Sequence, residues 1–260
     1  SHIMANQATY YHYHAFFSSG EPCIVSVRTD FAANAPLNGL PALCSVVFGY
    51  QGDTTSGLPN SSDAAKLEKL AGEISKHAER NRCGLWVGSL TCGHRRVEFF
   101  YAADADLFHK NNAAYLNSLP ELAFPIAGNA EEDEEWLFYR NNLLPSREIQ
   151  AYERNQGTID AMKAHGDDFE QLRPIHHYIY FDNLDNAQAY AEAASQLGHY
   201  LSDIMQSADH AEAYQVKLTH IGRIHADKLA HTAAELEELA EQYQGQYDDW
   251  EALLAHQAGS

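Results

Sequence analysis

Between Pro174 and Trp250 the apolar positions recur every second residue, then every third or fourth, then alternate again, and the cycle runs twice. Ile175, His177, Ile179 and Phe181 share one side of an extended segment, with His176, Tyr178 and Tyr180 on the other. A helix from about Leu184 to Leu197 gathers Ala187, Tyr190, Ala194 and Leu197 on one stripe, and Gly198 suits the position just past its end. Residues 199–206 and 213–221 read as a hairpin around Ser207, Ala208, Asp209 and His210, with Val216, Leu218 and His220 alternating. From about Asp227 a second helix places Leu229, Ala233, Leu236, Ala240 and Tyr243 at spacings of four and three. Gly245 ends it, and residues 246–250 make a last short strand. This βαββαβ order predicts an α+β ferredoxin-like sandwich, helices on one face of a four-stranded antiparallel sheet.

The first half has a different rhythm. Aromatic and imidazole residues alternate from Thr9 to Phe17, and residues 23–31 and 42–50 are two further strand-like runs, separated by a loop with Pro36, Gly39 and Pro41. A helix from Ser61, Ser62 or Asp63 as cap to about Asn81 carries an apolar stripe of Leu67, Leu70, Ala71, Ile74 and Ala78. Residues 84–91 and 95–102 flank Cys92-Gly93-His94 as a β-hairpin, and a helix from about Ala105 to Leu119 stops at Pro120. An α+β domain with a mainly antiparallel sheet and flanking helices follows from this pattern. Residues 147–168 look helical and should join the halves. The division is then 1–4 as an expression scar (Ser1-His2-Ile3) and start Met4, 5–150 as the N-terminal domain, 151–172 as a helical connector, and 173–260 as the ferredoxin-like domain.

Charge changes the picture more than composition does. The formal net charge is −19. Residues 151–260 hold 19 acidic and 6 basic side chains, net −13, against 17 and 11, net −6, for residues 1–150. Direct nucleic-acid binding needs clusters of Lys and Arg that this half lacks, whereas a basic protein partner would be drawn to such a field. No run reaches the ~20 apolar residues of a membrane span, and no charged n-region leads an apolar one, so a cytoplasmic address is expected. Cys23, Cys44, Cys83 and Cys92 form no Cys-x-x-Cys pair and read as buried free thiols.

Candidate chemistry is sparse. His12 and His14 fall on one side of a strand, a spacing a metal pair could use, without a third ligand nearby in sequence. Arg95 and Arg96 form the one adjacent basic pair and could hold an anion. Glu131-Glu132-Asp133-Glu134-Glu135 could pair carboxylates or bind a divalent cation, although such a run on a loop or first helical turn usually faces water. No catalytic constellation, metal site or cofactor motif emerges. Residues 52–59 lack the spacing and the Lys of a phosphate cradle.

Two resemblances can be read from residues. Gly166 and Asp168, then Arg173, Pro174, Ile175, His177, Leu197, Gly198, Tyr247, Asp248 and Trp250, resemble the RraB family of ribonuclease E inhibitors over roughly the last hundred residues. Residues 56–59 (Ser-Gly-Leu-Pro), then Gly88, Thr91, Gly93, Arg96, Tyr101, Asp133, Trp136, Tyr139, Leu144 and Pro145, are similar to domain of unknown function 695 over roughly residues 10–150. The first resemblance implies a protein that binds ribonuclease E and inhibits RNA processing; the second implies no activity.

The resulting expectation is a non-catalytic binding regulator whose C-terminal domain docks on a basic protein partner, ribonuclease E by resemblance. Glu235, Glu237, Glu238, Glu241, Asp248 and Asp249 would form the acidic face, with Tyr247 and Trp250 as aromatic anchors or, equally, as core. The alternative is an enzyme or small-ligand or metal-binding module in the N-terminal domain using His12, His14, Arg95 and Arg96, which requires a pocket that gathers them. Self-association through sheet edges is a third expectation.

Overall fold

The computed structural model describes residues 10–16, 20–120, 124–207 and 214–256. By compactness the chain divides into unit 1, Ser1–Pro145, and unit 2, Ser146–Ser260. The expression scar, and residues 208–210 of the expected hairpin turn, lie outside the described residues.

Unit 1 is built on six strands: β1 (Tyr10–Phe16), β2 (Pro22–Arg28), β3 (Ala42–Gly49), β4 (Leu85–Cys92), β5 (Arg95–Ala102) and β6 (Ile126–Glu132), in the order β1-β2-β4-β5-β3-β6. Each neighbouring pair is antiparallel. Gly93 and His94 both take positive φ, 57° and 65°, which is what the two-residue link between β4 and β5 demands. One face is covered by α1 (Ser61–Arg80) and α2 (Ala105–Ser118), whose Leu67, Leu70, Ile74, Phe108 and Leu116 pack on Cys44, Val46, Phe48 and Phe100. The cap of α1 is Asn60, one residue before those expected: its Oδ1 accepts the Asp63 N–H at 2.8 Å.

On the other face Trp136 stacks on Tyr101 at 4.1 Å, its indole donating to the Leu40 carbonyl, and leads into a π-helical turn at Tyr139–Leu143. The acidic run divides here. Glu131 and Glu132 end β6, an edge strand exposed along its whole length and not expected from the pattern, because every residue of it faces water. Asp133 turns inward, accepting from the Tyr101 hydroxyl at 2.6 Å and from the N–H groups of Leu137 and Phe138, so it holds a turn together.

In unit 2, β7 (Arg173–Phe181), α4 (Leu184–Ala194), β8 (Leu201–Gln206), β9 (Tyr214–Gly222), α5 (Ala226–Gln242) and β10 (Gln246–Glu251) follow one another, and the sheet order is β10-β7-β9-β8. Numbered within the unit this is 4-1-3-2, every pair antiparallel, the ferredoxin-like arrangement. Ile175, His177, Ile179 and Phe181 are buried as the alternation requires. With Val216 and Leu218 they meet Ala187, Tyr190 and Ala194 of α4 and Leu229, Leu236 and Ala240 of α5. A further helix, α3 (Arg147–Ala164), lies against α5, where Ala151 meets Ala230 and Ala233.

Two glycines have roles other than the expected caps. Helix α4 ends at Ala194, before Gly198, and neither Gly198 nor Gly245 has a positive φ; the left-handed residue after α5 is Gln244, at 59°. Gly245 is there for space. A Cβ on it would lie 2.1 Å from the Phe181 ring.

Candidate functional site

The end of α5 and the start of β10 bracket a groove of about 720 Å³ in unit 2. Its carboxylates are Asp182, Glu237, Glu241 and Asp248, and Tyr180, Tyr247, Gln244 and Gln246 also line it. Helical spacing accounts for part of this: Glu237 and Glu241 are four apart and so lie one above the other on α5, beside the buried stripe of Ala233, Leu236 and Ala240. The rest comes from the β7–α4 corner, which brings Asp182, and from the β10 bulge between Tyr247 and Asp249, which turns Asp248 outward.

Two arginines of α3 pair with the carboxylates on the α5 wall of the groove. Arg147 of α3 grips Glu241 with two parallel bonds, Nη1–Oε1 at 2.6 Å and Nη2–Oε2 at 2.5 Å, and lies 3.8 Å from Glu237, while Arg154 reaches Glu237 at 3.9 Å. The bond from Arg147 holds the Glu241 carboxyl below its ordinary range. With those two arginines engaged, the groove keeps a carboxylate surplus, and Glu241 presents a fork-to-fork geometry.

Not every residue of the expected face belongs to the groove. Glu235 lies 3.5 Å from His231, and Glu238 points to water elsewhere on α5. Asp249 is exposed, and its Oδ1 accepts the Trp250 N–H at 2.8 Å. Trp250 is 5% exposed; it packs on Met162, Ile175, Ile224 and Leu229, and its indole donates to Asn155 at 2.8 Å. Tyr247 is half-buried, its hydroxyl 2.8 Å from His177 Nδ1. Both rings close the core. Asp182 and Tyr180 were absent from the sequence expectation, because only the folded corner brings them to α5.

Beneath the groove His177 is fully buried, its Nε2 3.0 Å from His220 Nε2 and the two rings stacked. Burial, with His220 and His176 adding to it, pushes the His177 imidazole down to about 3, and burial pushes His220 down as well. Two neutral imidazoles therefore share one proton between facing nitrogens, which is a structural arrangement.

Of the alternative residues, Arg95 is exposed, whereas His12 and Arg96 line one cavity of unit 1, with Ser26, Glu68 and Trp86. His14 lies on the same face of the sheet as Arg96, through Ile24 and Thr91 in register. Ser26, Glu68, Trp86 and Glu98 were missed, although alternation along β5 puts Arg96 and Glu98 on the side of Phe100 and so signals two charges facing the core. Among the described residues no group of three or more His, Cys, Asp or Glu could hold a metal ion, and no helix is long and apolar enough to cross a membrane.

Unit 2 is thus a ferredoxin-like α+β domain with an acidic groove, and unit 1 an α+β domain with charge inside it. Residues 152–252 match the family Regulator of ribonuclease activity B, and residues 16–144 match a family of unknown function, DUF695. The C-terminal part is similar, at the level of the family, to regulators of ribonuclease activity. No curated protein matches the chain. A crystal structure of an unknown protein from Galdieria sulphuraria is 10% identical, covering 82% of this chain and 99% of its own, with a TM-score of 0.22. A protein assigned as a glycine cleavage system transcriptional repressor is 7% identical over 83% and 98%, with a TM-score of 0.23. Neither score carries an argument about fold or function.

The residues of the C-terminal resemblance are largely the ones that hold unit 2 together. Arg173, 6% exposed, binds Asp167 at 2.6 and 2.7 Å and the Asp168 and Leu253 carbonyls. Gly166 has a φ of 76° just after α3.

Proposed function

We propose that unit 2 is a non-catalytic, protein-binding regulator of a ribonuclease, acting by docking its acidic groove on a basic, RNA-contacting or scaffold segment of that enzyme in the cytoplasm. The observation that carries this reading is the groove of Asp182, Glu237, Glu241 and Asp248, where Glu241 already holds an arginine fork to fork. The family similarity of residues 152–252 supports it, as does the net −13 of residues 151–260. Ribonuclease E is the partner of choice, because its inhibition is what the RraB resemblance implies.

Arginine or lysine of the partner enters beside Glu237 and Glu241 and adds to or displaces Arg147. The outer carboxylates Glu235, Glu238 and Asp249 extend the field that steers the encounter and sets the on-rate. Tyr247 and Trp250 act through the groove wall, fixing β10 against β7, and do not anchor the partner directly.

Calorimetric titration of the full chain with the non-catalytic region of ribonuclease E, at low and at moderate salt, tests this. Binding that weakens with salt and is lost in the double variant Glu237→Lys, Asp248→Lys supports the proposal. Binding that ignores both salt and the double variant, or no binding at either salt, overturns it.

A further inference from the structure

Unit 1 carries a second site. In register across its sheet, His12 faces Ser26, Ser26 faces Ser89, and Ser89 faces Glu98. Ser26 is 6% exposed, Ser89 1% and Glu98 0%, an unusual row of polar groups beneath a helix. One position along, Arg96 is 7% exposed. Burying a carboxylate and a guanidinium costs several kcal/mol per ion unless both are paired and hydrogen-bonded. Here they are: Arg96 Nε donates to Glu98 Oε1 at 2.7 Å, and the Trp86 indole donates to Glu98 Oε2 at 2.7 Å.

The pairing leaves donors over. A guanidinium has five N–H groups. Arg96 uses one on Glu98 and one, through Nη1, on Glu68 at 2.9 Å, and its Nη2 bonds to no described residue. That edge opens into a cavity of about 280 Å³ walled by Glu68, Ala71, Gly72 and Ser75 of α1, the Trp86 ring, Ser26 and His12. Glycine inside a helix costs about 1 kcal/mol against alanine, and a Cβ on Gly72 would meet nothing within 4 Å, so this residue keeps space open. Glu68, with a side chain 65% exposed, is the movable member of the cluster. Its carboxylate occupies part of the Arg96 fork and stands in for what the fork receives.

We infer that this cavity binds a small molecule with one carboxylate and a flat apolar body. The carboxylate takes the two parallel N–H groups of the Arg96 Nη edge in place of Glu68, which swings into water. The body lies between the Trp86 ring and the small residues of α1. His12, its Nδ1 hydrogen-bonded to Ser26 Oγ at 2.7 Å, closes the mouth and leaves its Nε2–H to donate to the anion. A single negative charge suits the site, because Glu98 stays fixed behind Arg96 and repels a dianion. The volume lies just under the usual range of about 300–1,000 Å³ for ligand pockets, which sets the size.

The test is an NMR titration of the full chain with sodium benzoate, following the indole N–H signals of its 3 tryptophans. Trp136 and Trp250, bonded to Leu40 and Asn155, serve as internal references. The expected result is a saturable shift of Trp86 alone, absent with the uncharged analogue benzamide. Glu68→Gln, which removes the competing carboxylate from an exposed position, tightens binding by about threefold. Gly72→Leu fills the cavity from the exposed side of α1 and abolishes the shift without lowering the melting temperature. No Trp86 shift, an equal shift with benzamide, or unchanged affinity in Glu68→Gln overturns the inference, and each result is independent of the ribonuclease measurements on unit 2.

Discussion

The two units solve one packing problem, an antiparallel sheet with helices on one face, and each buries an ion pair but places it differently. Unit 1 keeps Arg96 and Glu98 under α1, inside the layer that hydrophobic residues would ordinarily fill. Unit 2 has the neutral pair His177 and His220 at its centre and a buried ion pair, Arg173 with Asp167, at the start of β7, and sets the acids of its groove on the outside of α5 and on β10. Charge inside is costly and directional, so it has to be held by fixed partners. Charge outside is inexpensive, long-ranged and screened, so it suits a partner recognised by its field.

The comparison is broken most forcefully at Glu98. Replacing it by Leu leaves Arg96 buried with only the exposed Glu68, and unit 1 should lose about 3–5 kcal/mol in urea unfolding. The double variant Arg96→Met, Glu98→Leu should regain most of that loss. In unit 2 the counterpart is steric. Gly245→Ala drives a methyl into the Phe181 ring and should cost about 3 kcal/mol, read as a fall in melting temperature.

Acid sharpens the contrast further. The folded His177 titrates at about 3, below the ~6.5 of an unfolded histidine. Its neutral form therefore contributes full stability above about pH 6.5, and that contribution is lost as the pH falls toward 3, at up to about 1.4 kcal/mol per pH unit. A melting-temperature series from pH 7 to 4 should show the slope, and His177→Leu should flatten it. The smallest effect belongs to the exposed acids: Glu241→Gln should change stability by no more than about 0.5 kcal/mol while weakening partner binding at low salt.

Much of the architecture was legible in the sequence, because buried faces impose a period. Leu67, Leu70, Ala71, Ile74 and Ala78 mark the inner stripe of α1 and are the residues it buries, and the alternation of β7 identifies its core face residue by residue. β6 was illegible for the same reason: with both faces in water, Ile126–Glu132 has no alternation to read. The sites were legible only in part. Glu237 and Glu241 follow from helical spacing, but Asp182 joins them through a corner of the chain. Arg96 was visible as a basic residue, whereas Glu68, 28 residues away, reaches it by the packing of α1 on β5. Spacing shows what shares an element; side-chain partners on different elements are set by register.

Strand β8 has a consequence for handling the protein. It forms one margin of its sheet, with Leu201 78% exposed and Met205 46% exposed, and among the described residues no strand pairs with its outer side. Such a margin offers a second copy a ready row of peptide groups. Mutual repulsion opposes such pairing, carried by a formal charge of −19 that vanishes near the isoelectric point of about 5.0. Colloidal stability should therefore fail first on acidification or in concentrated salt, with turbidity rising before either unit melts, and the protein should keep best in dilute buffer well above neutrality.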